Sequence, residues 1–485
     1  MLELDDRELF RERMFYGGRW HDGRRHLEVR NPADGRVLGR VPDADEAAVR
    51  AAVAAAAAAF PAWRDEGGPA RGRLLQRWYE LLEIHREDLA RLITLEQGKP
   101  LAEARAEVDY AAGFLSWFAG EAPRAYGEVI PAARAGEHIV VLREPIGVTA
   151  AITPWNFPAA MLARKAAAAL AAGCTMVARP ASATPFTALA LAELADRAGL
   201  PAGVFNVVTG AAERIARTLL AEEAVRKLSF TGSTAVGREL MALCAEGPKR
   251  IALELGGNAP FIVFADADLE RAVAGALAAK FRNGGQTCVA ANRFLVQKPV
   301  YEGFLERMAE AIGRLRVGPG WAPSVDIGPL IDQAAVDKVL DHIEDARAKG
   351  ARCLVGGGLH DLGPPYVQPT LLAEVSPAMR LWNEETFGPV VGVAPFEDEA
   401  EAIALGNATP YGLAAYFYTR DLDRAWRVAR ALEAGMIGIN EGLISNPAVP
   451  FGGVKASGMG REGAHQGLEA YLETKYLCFG GARPS

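Results

Sequence analysis

Eight residues near the middle of the chain, Phe281-Arg282-Asn283-Gly284-Gly285-Gln286-Thr287-Cys288, set a cysteine behind a Gly-Gly pair and ahead of the apolar run Arg293-Phe294-Leu295-Val296. Paired glycines mark a tight connection, so Cys288 is expected on a turn between a helix and a strand. An accessible thiol beside backbone donors or cations is a nucleophile, but a single cysteine taken alone reads first as a small buried side chain. A second stretch, Gly232-Ser233-Thr234-Ala235-Val236-Gly237, follows an apolar run and opens a helical pattern. Free N–H groups at a helix start attract a pyrophosphate, and glycine admits its close approach. The spacing is not G-x-G-x-x-G, and the stretch reads equally as a plain strand-to-helix turn. Arg179 and Ser182 end another apolar run, where the adenosine ribose of a dinucleotide would be read. A cation and a hydroxyl suit the 2′-phosphate of NADP, whereas an acidic residue would repel it, so NADP is favoured over NAD.

The elements that must position these residues alternate. From Gly147 short apolar runs (148–152, 175–178, 204–208, 227–230) are separated by helical stretches near 160–172, 185–198 and 211–221. This is the pattern of a doubly wound parallel sheet, whose ligands bind at the carboxyl ends of its strands. A second α/β unit starts near Glu254, with strand 260–264, helix 268–281, further strands near 390–396 and 414–418, and a helix from 421 to about 434. Residues 14–45 read as short strands and turns, and 43–121 as helices, including the Ala-rich 51–60 stretch. Two strand-like runs between Gly127 and Arg143 form a ribbon with uncovered edges, suited to pairing with another subunit.

Composition narrows the class. At 485 residues the chain needs two or three domains, and its 23% charged and 50% hydrophobic residues are those of a globular enzyme. The net charge of −7 offers no footprint for nucleic acid. Five scattered cysteines with no CxxC, and seven histidines with no HxxxH, predict neither a disulfide scaffold nor a metal site, and a reducing cytoplasm. The acidic Met1-Leu2-Glu3-Leu4-Asp5-Asp6 start predicts no signal peptide. The longest apolar helical stretch, 159–172, contains Arg164 and Lys165 and is too short for a bilayer, so no membrane partner is expected.

Six stretches together resemble the aldehyde dehydrogenase superfamily: Pro154-Trp155-Asn156-Phe157-Pro158, Phe230-Thr231-Gly232-Ser233-Thr234, Leu253-Glu254-Leu255-Gly256-Gly257, Gly285-Gln286-Thr287-Cys288, Glu385-Thr386-Phe387-Gly388-Pro389 and Pro450-Phe451-Gly452-Gly453. The similarity runs from about 14 to 480, in the family's order. It implies a dinucleotide-binding domain over 1–124 and 145–253, a catalytic domain over 254–447, and a β-ribbon oligomerisation element over 125–144 and 448–485 in a homodimer or homotetramer. It further implies Cys288 as nucleophile, Asn156 as oxyanion donor, Glu254 as the base that activates water, and Lys165 near them. Without it, Glu254 would read as a surface residue at a strand end and Lys165 as a helix-capping cation. Cofactor contacts are implied for Trp155, Asn156, Arg179, Pro180, Ala181, Ser182, Gly232, Ser233, Leu255, Glu385 and Phe387.

Arg164, Arg282 and Ser445 are similar to the positions at which the succinate semialdehyde dehydrogenase subgroup holds the substrate's far carboxylate. Two guanidinium forks and a hydroxyl suit that group. The implied substrate is succinic semialdehyde, with glutaric semialdehyde or a broad aldehyde range as alternatives and a non-catalytic nucleotide-binding protein as the remote one. Two departures stand out. Arg179 replaces the family's usual lysine, and Ala290 occupies the place of a second cysteine that forms a redox switch in some relatives, so no disulfide to Cys288 is expected.

Overall fold

Runs of apolar residues uninterrupted by charge can be covered on both faces only inside an α/β layer structure, and the computed structural model shows two such sheets. It describes residues 3–480. Met1, Leu2 and 481–485, which fall in the acidic start and in the expected first and third units, lie outside the described residues.

The first sheet has eight strands, in the order Gly458–Met459, Arg250–Glu254, Val225–Thr231, Val148–Ile152, Thr175–Arg179, Phe205–Val207, Met14–Tyr16 and Arg19–His21. The five from Arg250–Glu254 to Phe205–Val207 are parallel. The two flanking contributions, Gly458–Met459 at one edge and the 14–21 hairpin at the other, are antiparallel. The second sheet has seven strands, parallel except for the edge strand Arg352–Val355. Each sheet carries an apolar core on both faces.

The expected ribbon gains a third strand. His138–Pro145 pairs with Glu128–Ile130 on one side and, along its full length, with Leu472–Phe479 on the other, in register from Leu472 opposite Pro145 to Phe479 opposite His138. Among the described residues no helix is long and apolar enough to cross a membrane.

Two helices central to the first layer start without a local cap. Pro158–Ala172 and Pro185–Arg197 each have proline at the first position and no capping side chain before it. Their free N–H groups are satisfied by buried glutamates from elsewhere. Glu107 Oε1 accepts from the backbone N of Ala159 at 2.9 Å and of Ala160 at 3.3 Å, and Glu96 accepts from Phe186 N and Thr187 N, both at 2.8 Å. A carboxylate taken out of water is tolerated at this end of a helix because unpaired N–H groups and the dipole favour it. Burial still pushes the Glu96 carboxyl up, to about 8. Replacing Glu96 by Ala should cost about 1–3 kcal/mol by orphaning these donors. The apparent Tm in scanning calorimetry should fall by several degrees, and less for Glu96→Gln, which keeps an acceptor; an unchanged Tm would exclude the long-range cap.

Candidate active site

The helix Leu269–Phe281 ends in a turn over Arg282–Gly285. Three successive residues there, Asn283, Gly284 and Gly285, have left-handed backbone with φ of 53°, 60° and 77°. Asparagine and glycine are the residues that adopt it cheaply. At Gly285 nothing else fits, since a Cβ would lie 2.2 Å from the Gly388 carbonyl oxygen. The turn brings Cys288 to the wall of a cavity of about 410 Å³, together with Trp155, Asn156, Gly232, Ser233, Leu255, Arg282, Glu385, Phe387 and Ser445. Cys288 is half-buried, and it and the other four cysteines are free thiols. Burial first, and then the Glu385 carboxylate, push its thiol up to about 12, so at neutral pH it rests protonated.

Asn156 sits in the loop between strand Val148–Ile152 and helix Pro158–Ala172. Its Nδ2 donates to the Gln286 carbonyl at 2.9 Å, which ties the amide to the segment just before the nucleophile. An amide donor and a thiol on one wall are what a tetrahedral oxyanion requires.

Glu254 ends the strand Arg250–Glu254 and is only 1% exposed. It lies behind the wall and not on it, and neither carboxylate oxygen has a hydrogen-bond partner. Gly452 makes room for it, because a Cβ there would come 3.0 Å from Oε1. Burial, and next the charge of Glu462, hold its pKa well above the usual carboxylate range. Lys165 and Arg164 also lie behind the wall, each 2.5 Å from Glu462. Burial opposes a charge on Glu462, yet Lys165 and Arg164 outweigh it and hold that carboxyl at about 2. Two buried carboxyls near the same cations are thus pushed in opposite directions.

Of the three residues expected to read a far carboxylate, Arg282 and Ser445 line the cavity, with Arg282 Nη2 donating to Ser445 Oγ at 3.4 Å. Arg164 is one layer further back, its guanidinium 4.1 Å above the Phe451 ring that forms the wall. Tyr110, which nothing in the sequence singled out, joins Arg282 and Ser445 on the wall, and its buried Oη has no partner. Burial raises the phenol's pKa and Arg164 and Arg282 pull it back.

Among the expected cofactor residues, Trp155, Asn156, Gly232, Ser233, Leu255, Glu385 and Phe387 share the cavity. Ser233 caps the helix Thr234–Ala245, and Gly237 is packed so closely that a Cβ would lie 2.5 Å from Leu255 Cδ2. Glu385 accepts from Gly257 N at 3.0 Å, and burial raises its carboxyl to about 7. Phe387, with φ of 56°, meets Trp155 edge-on with ring centroids 5.7 Å apart. Arg179, Pro180, Ala181 and Ser182 stand apart, at the end of the adjoining parallel strand. Arg179 donates to the Gly210 carbonyl at 2.8 Å and to Ser182 Oγ at 2.7 Å. Among the described residues it has no carboxylate partner, and burial lowers its pKa to about 10.

The residues that sequence reasoning missed are those acting from a distance. Lys99, Glu103 and Glu107 recur every fourth position, a spacing that puts charges on one helical face, and all three reach this site. Glu462 carried no local signal. The aldehyde dehydrogenase family model matches residues 20–477. The chain is 56% identical over 481 residues to the NADP(+) succinate-semialdehyde dehydrogenase of Escherichia coli (strain K12), covering 99% of this chain and 100% of that one. It is 55% identical to a glutarate-semialdehyde dehydrogenase of Pseudomonas aeruginosa, covering 99% and 100%. A crystal structure of an E. coli NADP-dependent enzyme superposes with a TM-score of 0.98 at 56% identity, covering 99% and 100%.

A protonated resting thiol has a measurable consequence. Alkylation of Cys288 by iodoacetamide in the protein without nucleotide should keep accelerating between about pH 7 and about pH 10, because only the thiolate reacts. Peptide mass spectrometry gives the rate, and a plateau below about pH 8 would contradict the buried, neutral thiol.

Proposed function

The chain belongs to the aldehyde dehydrogenase family, and on that premise we propose that it oxidises short aldehydes bearing a carboxylate at the far end, succinic semialdehyde first. One observation carries the choice of substrate: Arg282 and Ser445 are hydrogen-bonded to each other on the wall that also presents Cys288 and Asn156. Glutaric semialdehyde is the second reading, favoured by a named relative of nearly equal identity.

In this reading the aldehyde's carboxylate is held by Arg282 and Ser445, with the free Tyr110 hydroxyl beside them and Arg164 adding positive potential from behind Phe451. The thiolate fraction of Cys288, formed when the thiol loses its proton to solvent, attacks the carbonyl carbon through Sγ. The oxygen becomes an oxyanion, held by the Asn156 amide and the Cys288 backbone N–H. A bound nicotinamide would supply the acceptor for the hydride lost from this carbon, and Cys288 would be left carrying the acyl group as a thioester. Glu254 rotates from behind the wall, takes a proton from water, and the hydroxide releases the acid and the thiolate. Lys165 holds Glu462 and so fixes the charge that Glu254 feels.

The nucleotide is NADP or NAD, with NADP favoured. A buried guanidinium without a carboxylate partner fits a 2′-phosphate, and Ser182 adds a hydroxyl. Gly232 and Ser233, at a helix start, suit the pyrophosphate, Glu385 the nicotinamide ribose, and Trp155, Leu255 and Phe387 the walls of the cleft. Residues 1–124 and 145–253 would form the dinucleotide-binding domain and 254–447 the catalytic one. The ribbon of 125–144 and 448–485 leaves Val129 80% and Tyr476 63% exposed, which supports a homodimer or homotetramer built through it. A cytoplasmic location is consistent with five free cysteines.

Steady-state rates on succinic, glutaric and uncharged aldehydes, each with NAD and NADP, test the reading. Arg282→Ala should raise KM for succinic semialdehyde about 10- to 100-fold, the worth of a charge-assisted hydrogen bond, and spare an uncharged aldehyde. Equal losses on both would assign Arg282 to structure. For Glu254→Gln the expected result is a preserved first-turnover burst of reduced nucleotide, with steady-state kcat lower by about 10²- to 10⁴-fold. Because Glu254 acts as the ionised base, wild-type kcat should rise with pH through a pKa well above the carboxylate range, and this limb should vanish in the variant.

A further inference from the structure

Lys99 is fully buried, and its ammonium is committed to the loop that carries Asn156. Nζ donates to Glu107 Oε2 at 2.6 Å and to the Asn156 carbonyl at 2.7 Å, and lies 3.8 Å from the centre of the Phe157 ring. The other oxygen of Glu107 holds Ala159 N and Ala160 N, the start of the helix that follows Asn156. The Asn156 carbonyl accepts a second bond, from Asn283 Nδ2 at 3.0 Å, and Asn283 N is itself held by Glu103 Oε2 at 2.7 Å. Both sides of the reaction centre, the Asn156 loop and the turn before Cys288, are therefore gripped by one segment.

Residues 153–157 have no regular structure of their own, so the place of the Asn156 amide is set by such side-chain bonds. Burying an ammonium and a carboxylate together is costly and is repaid only by well-aimed hydrogen bonds. A stability role alone would not require that one of those bonds end on the backbone of the oxyanion donor.

We propose that Lys99, held by Glu107, is a positioning residue that sets the Asn156 amide against the Cys288 turn. The inference rests on the oxidation proposed above and adds to it two residues that touch neither aldehyde nor nucleotide.

A double-mutant cycle on kcat, per active site titrated by Cys288 labelling, tests it. Asn156→Ala removes the donor and should cost about 10²- to 10³-fold. Lys99→Met should cost about 10- to 100-fold by misplacing the same donor, with the dissociation constant of NADP changed less than about threefold. In the double variant the losses should not multiply, and kcat should lie within about threefold of Asn156→Ala alone. Multiplying losses, or a Lys99→Met defect confined to the fraction of folded protein, would overturn the proposal. If Lys99→Met does not fold, Glu107→Gln, which keeps an acceptor for Ala159 and Ala160, takes its place with the same non-additive outcome expected. A wild-type enzyme that oxidises no aldehyde would sink the functional reading as well; one that does, with multiplying losses, would sink only the role of Lys99.

Discussion

Helix Pro158–Ala172 is buried along its whole length, and its polar ends and two cations must be satisfied without water. Each solution comes from far away in the sequence. Glu107 takes the first N–H groups, Arg71 Nε donates to the Ala171 carbonyl at 3.0 Å at the other end, and Glu462 pairs with Arg164 and Lys165 in the middle. The helix fits only if the segments bearing these three residues are in place. The loop before it inherits that rigidity, and the loop holds Trp155 and Asn156.

The same requirement shapes the acid–base chemistry. Glu462 is ionised because Lys165 and Arg164 need a counter-charge, and its negative charge then discourages ionisation of Glu254. Burial and the charge of one carboxylate thus raise the pKa of the next. A base with a raised pKa is the stronger proton acceptor once it ionises, which suits the removal of a proton from water near neutral pH. A buried cation pair on a helix, which looks structural, thus tunes a residue at the end of a strand.

Much of this was legible in the chain. Strands 148–152, 175–179, 205–207 and 225–231 are continuous apolar runs between helical stretches, and such runs are read within a residue or two. The strand Gly458–Met459, which closes the first sheet beside Arg250–Glu254, was not legible, because two residues carry no periodicity and their partner is about 200 positions away. Neither were Thr370–Ala373 and Met436–Ile439, four-residue strands too short to alternate visibly. Cys288 and Gly232 stood out beside neighbouring glycines, whereas the roles of Asn156 and Glu385 were legible only through the family resemblance. Arg164 matched a substrate-reading position, but its commitment to Glu462 is a tertiary fact. Nothing marked Tyr110, Lys99, Glu103 and Glu107 out from the rest of the helical stretch 43–121. Burial, which one sequence does not reveal, is what separates a surface stripe from a rack.

At rest the reaction centre is electrically quiet on its acidic side. The thiol is protonated, burial holds the Glu254 carboxyl well above the usual carboxylate range, and Arg282 is a cation on the cavity wall. Arg164 and Arg282 each favour ionisation of Cys288. In the reading proposed above, a substrate carboxylate on Arg282 would neutralise part of that field and make the thiolate harder to form. Substrate binding and nucleophile activation would then compete for one guanidinium. The competition eases with distance, since the interaction of two charges falls as their separation grows. A semialdehyde keeps its carboxylate a few carbons from the carbon that Cys288 attacks. Arg164, held back behind Phe451 and already paired with Glu462, stays out of the substrate's direct reach and continues to favour the thiolate. In the proposed reading, that division, one arginine on the wall and one behind it, would let a single cavity attract an anion and still generate one at Cys288.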